Sequence, residues 1–126
     1  MKFRTTRHEL DVGADLSKLA KVRRWARTVL GDLPANVVST AVIVLDELTS
    51  NALRHGRAPY HVRLLLGSGQ LRIGVDDAID VIVRRRTPSE LGGRGLHLVE
   101  RCAAAWGQLR RPRGKTMWAE LDPAGD

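Results

Sequence analysis

Glu47, Asn51 and His55 recur at four-residue spacing within the stretch Val42-Ile-Val-Leu-Asp-Glu-Leu-Thr-Ser-Asn-Ala-Leu-Arg-His-Gly56. A helix advances 3.6 residues per turn, so the three side chains stack along one line. A carboxylate and a carboxamide one turn apart can act on one bound group. Glu47 is suited to taking a proton or orienting a water, and the Asn51 carbonyl oxygen suits a hard cation such as magnesium. The bland reading of the same spacing is the wet face of an amphipathic helix, because Leu45, Leu48, Thr49 and Ala52 form an apolar stripe beside it. Two further pieces bear on the choice. Asp76-Asp77 ends the alternating run Leu71-Arg-Ile-Gly-Val75, and a carboxylate at a strand end can accept a hydrogen bond from an exocyclic amine such as that of adenine. Gly92-Gly-Arg-Gly95 opens an apolar helical pattern, and the free N–H groups of a helix start form a ready phosphate site. Magnesium between Asn51 and the phosphates would complete a nucleotide site.

The elements that must position these groups follow from periodicity. Asp15 is a candidate N-cap for a first helix over about 16–30, with Leu16, Leu19, Val22, Ala26 and Val29 as its core stripe, Lys18, Lys21, Arg24 and Arg27 off that stripe, and Gly31 as its stop. Pro34 stands near the start of a second helix, about 35–55, which Gly56 closes. Tyr60–Leu66 and Leu71–Val75 read as a hairpin around Gly67-Ser-Gly-Gln70. Residues 78–92, with Arg84-Arg-Arg86, lack periodicity, and connections of that length are often lids or binding loops. A third helix is expected over about 95–105, closed by Trp106-Gly107, and then strands over 107–111 and 115–121 around Pro112-Arg-Gly114. Residues 2–11 alternate only weakly and would make an edge strand. The order predicts an α+β two-layer sandwich, a mixed and mostly antiparallel sheet with about three helices on one face. No repeat or linker is visible, so residues 1–126 are expected to form one domain with its core over about 15–122.

Composition narrows the function classes. The 126 residues are 43% hydrophobic, enough for a core and too many for disorder. No run approaches the roughly 18 apolar residues of a membrane span. The N-terminal Met-Lys-Phe-Arg-Thr-Thr-Arg has no apolar signal core, so no membrane role and a cytoplasmic location are expected. Cys102 is the single cysteine, which leaves core packing as its role, and His8, His55, His61 and His97 show no metal spacing. The net charge of +7 favours anionic partners. Nucleic acid is disfavoured among them, because the arginines are spread over several elements and aromatics for stacking are few. Gly114-Lys-Thr116 is not a P-loop, since Leu109 stands where that motif requires glycine.

Taken in order, these motifs resemble those of the GHKL ATP-binding fold shared by gyrase, histidine kinases and MutL, and most of all its small stand-alone branch, the anti-sigma-factor serine kinases. Asp46-Glu-Leu-Thr-Ser-Asn-Ala-Leu-Arg-His-Gly56 looks like the N-box, Val75-Asp-Asp77 like the adenine-binding strand end, Gly92-Gly-Arg-Gly-Leu-His-Leu-Val99 like the G2 box, and Gly114-Lys-Thr-Met-Trp-Ala-Glu-Leu121 like the closing hairpin. The resemblance implies a Bergerat-type sandwich with ATP and Mg2+ as cofactors. It makes Glu47 the general base, Asn51 the magnesium ligand and Asp77 the adenine anchor. Gly93, Arg94, Gly95 and Leu96 would offer phosphate-facing backbone, and Thr116 would contact the nucleotide. It implies a protein serine/threonine kinase in transcription regulation, which phosphorylates or sequesters an anti-sigma antagonist or a sigma factor, often as a homodimer. Two departures keep a second reading open. Ala78-Ile79-Asp80 follows Asp77 where the family has glycine or Ser-Pro, and the segment to Gly92 is short. The second reading is a binding module that keeps the fold, acts by protein–protein contact and binds nucleotide weakly or not at all.

Overall fold

Alternation along a strand sends successive side chains to opposite faces, and Leu71, Ile73 and Val75 alternate with Arg72, Gly74 and Asp76. In the computed structural model, which describes residues 5–15, 17, 19–67, 69–79 and 94–124, the first three are wholly buried. They lie on β3 (Gln70–Asp77). Beside them stand Val62, Leu64 and Leu66 of β2 (Tyr60–Gly67) and Met117, Ala119 and Leu121 of β5 (Gly114–Leu121). β1 (Thr6–Gly13) and β4 (Ala105–Arg111) complete a five-stranded sheet in the order β1-β2-β3-β5-β4, and all four pairings are antiparallel.

Among the described residues three helices cover one face of this sheet. They are α1 (Leu19–Val29), α2 (Ala35–His55) and α3 (Arg94–Cys102). The central one is α2, which packs on β3 and β5 and is flanked by α1 and α3. Its apolar positions Ala41, Val44, Leu45, Leu48 and Ala52 are all at most 1% exposed. α1 buries Val22 and Ala26 and leaves Lys21, Arg24 and Arg27 in solvent, as its stripe predicts. Leu16 and Lys18 lie outside the described residues. The Asp15 carboxylate accepts the Ser17 N–H at 3.0 Å, a turn ahead of α1, which starts only at Leu19, so Asp15 stands four residues before the helix it was expected to cap. Arg23 joins α1 to Asp46 of α2 at 3.1 Å; both side chains are about a third exposed, which limits the pair to roughly 0–1 kcal/mol. Among the described residues no helix is long and apolar enough to cross a membrane.

The edges differ most from expectation. β1 starts and ends later than residues 2–11, and its register shifts between Asp11 and Gly13. Its weak alternation has a physical reason. An edge strand is held by backbone pairing and one neighbour, and here its exposed side joins Glu9 to His61 at 2.7 Å and to Arg7 at 3.1 Å. The hydrogen bond from His61 holds the Glu9 carboxyl below its ordinary range. α3 ends at Cys102, and Trp106-Gly107, expected as its stop, lies inside β4. Gly107 faces Trp118 on β5, and a Cβ there would come within 3.1 Å of the indole. That glycine makes room for a ring rather than ending a helix.

Gly56 likewise does more than stop α2. Its N–H reaches the Ala52 carbonyl at 2.7 Å, and its backbone is extended, with φ −102 and ψ −172. Any residue adopts that conformation. What excludes a side chain is space, because a Cβ on Gly56 would stand 2.6 Å from both the Ala52 carbonyl oxygen and the Asp77 carboxylate. Backbone entropy alone would make Gly56→Ala neutral or stabilising by about 0.4–1 kcal/mol. The overlap instead predicts a loss of about 1–3 kcal/mol in denaturant unfolding. A stabilised Gly56→Ala protein would show that the helix end and Asp77 do not meet this closely.

Candidate functional site

Asp77 is the last residue of β3, and strand parity turns it to the same side as Val75, beneath the end of α2. Its side chain is wholly buried. One carboxylate oxygen, Oδ1, accepts the Ile79 N–H at 2.8 Å. The other, Oδ2, lies 3.3 Å from Nζ of Lys115, whose side chain is 1% exposed. At that distance the two charges attract, yet the ammonium and the carboxylate are not aligned for a hydrogen bond, and among the described residues neither atom has any other partner. Gly56 of α2 lies against the same carboxylate. Gly114 lies against the Asp77 carbonyl, where a Cβ would overlap the oxygen. A cleft of ≈ 430 Å³ opens at this end of the sheet, lined by Pro59 and His61, by Asp76, Asp77 and Ala78, and by the turn Arg111 to Gly114, so residues of both sheet faces border it.

Five residues before Gly56, Asn51 is 5% exposed, and its Oδ1 is buried without a hydrogen-bond partner. An unsatisfied buried carbonyl costs about 1–3 kcal/mol, so its presence calls for a reason. Thr49, on the neighbouring stripe, has no such need, since its hydroxyl bonds back to the Leu45 and Asp46 carbonyls at 2.9 Å each. Glu47 is half-buried one turn before Asn51, and His55 is exposed one turn after it. The line along α2 is therefore graded, with its buried member in the middle. The orphaned oxygen of Asn51 fits a hard cation. Among the described residues no group of three or more His, Cys, Asp or Glu could hold a metal. A metal at Asn51 would combine that oxygen with a bound anion and water, which is how Mg2+ is commonly held beside phosphates.

The remaining predicted residues divide. Arg94 and Gly95 form the first turn of α3, whose leading backbone N–H groups have no partner within the helix. Leu96 follows in that turn and sends its side chain into the core, 1% exposed. Gly93 and the run Arg84-Arg-Arg86 lie outside the described residues. Thr116 lies on the other face of the sheet from Asp77. Parity on β5 turns it to the outer face of the sheet, opposite Asp76. There its hydroxyl donates to Asp76 Oδ1 and accepts from Arg111 and, at 3.1 Å, from Arg63. Arg63 and Arg111 also pair with Asp76, at 2.6 and 3.6 Å. The family resemblance pointed to Thr116 and passed over its neighbour Lys115, which stands against Asp77. Lys115 stands directly across from Asp77 in register, at the same parity as buried Met117 and Ala119. A lysine on the core face of a strand was the available signal.

The comparisons with known proteins follow this geometry. A family model described as a histidine kinase-like ATPase domain matches residues 12–120. No curated protein matches the chain in sequence. Among solved structures, the RsbU and RsbW domains of Rv1364c from Mycobacterium tuberculosis are similar with a TM-score of 0.70 and 19% identity over 93% of this chain and 32% of that one. The histidine kinase domain of a blue-light-activated histidine kinase from Erythrobacter litoralis is similar with a TM-score of 0.54 and 20% identity, over 86% of this chain and 60% of that one. The present chain thus spans about a third of the first structure and somewhat over half of the second. At these identities the likeness is one of fold, an α+β sandwich of the GHKL type. Since the family model covers most of the sequence, from the end of β1 to the end of β5, the chain belongs to the histidine kinase-like ATPase domain family.

Proposed function

We propose that this chain is an ATP-binding regulatory domain of the anti-sigma serine-kinase type, which phosphorylates or sequesters a protein partner according to nucleotide state. The observation that carries the proposal is the buried, unpartnered Asn51 Oδ1 on the same helix end that meets Asp77. In this reading Asn51 holds Mg2+, which when bound with ATP neutralises charge on the phosphates. Asp77 accepts from the adenine amine. The first-turn N–H groups of α3, from Arg94 through Leu96, face phosphate oxygens, with Gly93 just before them. Glu47 accepts the proton of a partner's serine or threonine hydroxyl as its oxygen bonds to the γ-phosphorus and the bond to ADP breaks. The partner is an anti-sigma antagonist, a sigma factor or both, and a homodimer and a cytoplasmic setting go with this reading.

A second reading has its own observation. Both Asp77 oxygens are engaged, by Ile79 and Lys115, which favours a module that works by protein contact with weak or no nucleotide binding.

Phosphate transfer from labelled ATP to a co-encoded antagonist separates the two. Glu47→Ala is expected to lower transfer by about 10²–10⁴-fold, the usual worth of a general base, with ATP binding retained. Transfer at the wild-type rate would remove Glu47 from the chemistry, and no transfer by wild type to any such partner would favour the second reading. Asn51→Ala carries a paired expectation. Without Mg2+ the variant unfolds no more easily than wild type, because an unsatisfied buried oxygen is gone. With Mg2+ its ATP affinity no longer responds to the metal. A variant that is destabilised by about 2 kcal/mol yet keeps its magnesium response would make Asn51 a packing residue.

A further inference from the structure

Lys115 is the least expected side chain in the molecule. It is the largest of the side chains under 2% exposed, and it lies among Leu45, Leu48 and Ile73 in that rank rather than on the surface. A lysine usually keeps its ammonium in water, and burying it is tolerated when the charge is paired and its N–H groups are used. Here it has the first and lacks the second. Asp77 Oδ2 is 3.3 Å away, but Nζ makes no hydrogen bond, and Oδ2 accepts none. An unused donor therefore sits beside an unused acceptor, both buried. The register fixes the two together, because Asp77 and Lys115 are cross-strand partners on β3 and β5. Gly114 lets β5 pass close to the Asp77 carbonyl, and Gly56 leaves the carboxylate uncovered by a side chain from α2.

We propose that Lys115 and Asp77 together form a two-point edge that reads the base of the bound nucleotide, with the Lys115 ammonium donating to a ring nitrogen and Asp77 Oδ2 accepting from the adjacent exocyclic amine. The ligand class is an adenine nucleotide. Adenine presents an acceptor, N1, next to a donor, the 6-amino group, and this order is complementary to Lys115 beside Asp77. The inference rests on the nucleotide reading above and adds Lys115 to it as a specificity-determining residue. It also gives the engaged state of Asp77 a different meaning. The ion pair holds the two groups at the spacing needed to meet neighbouring atoms of one heterocycle, and base binding completes the hydrogen bonds that the pair leaves open.

The test is calorimetric titration, with Mg2+, of ATP, 1-deaza-ATP (which keeps the amine and lacks the N1 acceptor) and GTP into wild type, and of the first two into Lys115→Met. Wild type is expected to bind ATP at least about tenfold more tightly than 1-deaza-ATP, the worth of one charge-assisted hydrogen bond. Lys115→Met should bind ATP about as weakly as wild type binds 1-deaza-ATP, and should not distinguish the two ligands. The wild-type comparison needs no variant, so it stands even if Lys115→Met does not fold. Equal wild-type affinities for ATP and 1-deaza-ATP would overturn the inference and leave the nucleotide reading intact. So would tighter ATP binding by Lys115→Met, which would make the lysine a competitor for Asp77. Guanine carries the reverse pattern, an acceptor at O6 and a donor at N1–H, and GTP binding more tightly than ATP would overturn the adenine assignment. Absence of binding by every ligand would overturn the inference together with the nucleotide reading.

Discussion

A carboxylate taken fully out of water at the end of β3 governs how this end of the molecule is built. Asp77 is stable there only because the Ile79 N–H and the Lys115 ammonium stand against it. Removing one partner of such a pair typically destabilises by about 3–5 kcal/mol, since the other charge is left buried alone. Each partner brings an element with it. Lys115 fixes the start of β5 beside the end of β3, and Gly56 fixes the end of α2 above both. The glycine at the helix end and the lysine at the strand start are thus two answers to one constraint. A third element, α3, joins through its packing on α2.

Strand parity divides the charged residues into two groups with different work. Asp77 and Lys115 face the helices; Asp76 and Thr116, one residue away on each strand, face outward. The outward set is internally matched. Arg63 and Arg111 share Asp76, while Arg72 pairs with Glu120 and stacks 4.7 Å over the Trp118 ring. These arginines account for part of the basic excess without a nucleic-acid partner, since their charges are already answered across strands. The inward set is left with bonding capacity unused, at Asn51 as well as at the ion pair. That contrast, a matched outer face and open bonding capacity at Asn51 and the ion pair, supports the proposed site on the helix side of the sheet.

Much of this was legible in the sequence. The 3.6-residue period of α2 and the two-residue period of β2, β3 and β5 gave the two-layer sandwich directly, because each of those elements buries one face. The edges were less legible. β1 is held by backbone pairing, which leaves little trace in side-chain pattern, and Trp106-Gly107 carries the composition of a helix stop while serving as a strand that accommodates Trp118. At the site, Asn51 and Asp77 could be picked out by type and spacing. Lys115 could not be found by motif, because Gly114-Lys-Thr116 invites comparison with phosphate loops, and Thr116 was the expected contact. Counting parity from Met117 back to Lys115 would have put the lysine inside and the threonine outside. Gly56 was legible as a helix end, but its second role depends on a carboxylate 21 positions further along the chain.

The end of α2, the end of β3 and the start of β5 are proposed to form one nucleotide site on the inner side of the sheet. Backbone amide NMR during a titration with MgATP tests it most directly. Shifts are expected at Asn51 through Gly56, Asp77 through Ile79, Arg94 through Leu96 and Gly114 through Thr116, with Leu65, Arg72 and Leu109 on the outer face of the sheet unmoved. No shift at millimolar MgATP, or shifts confined to the outer arginine face, would contradict it.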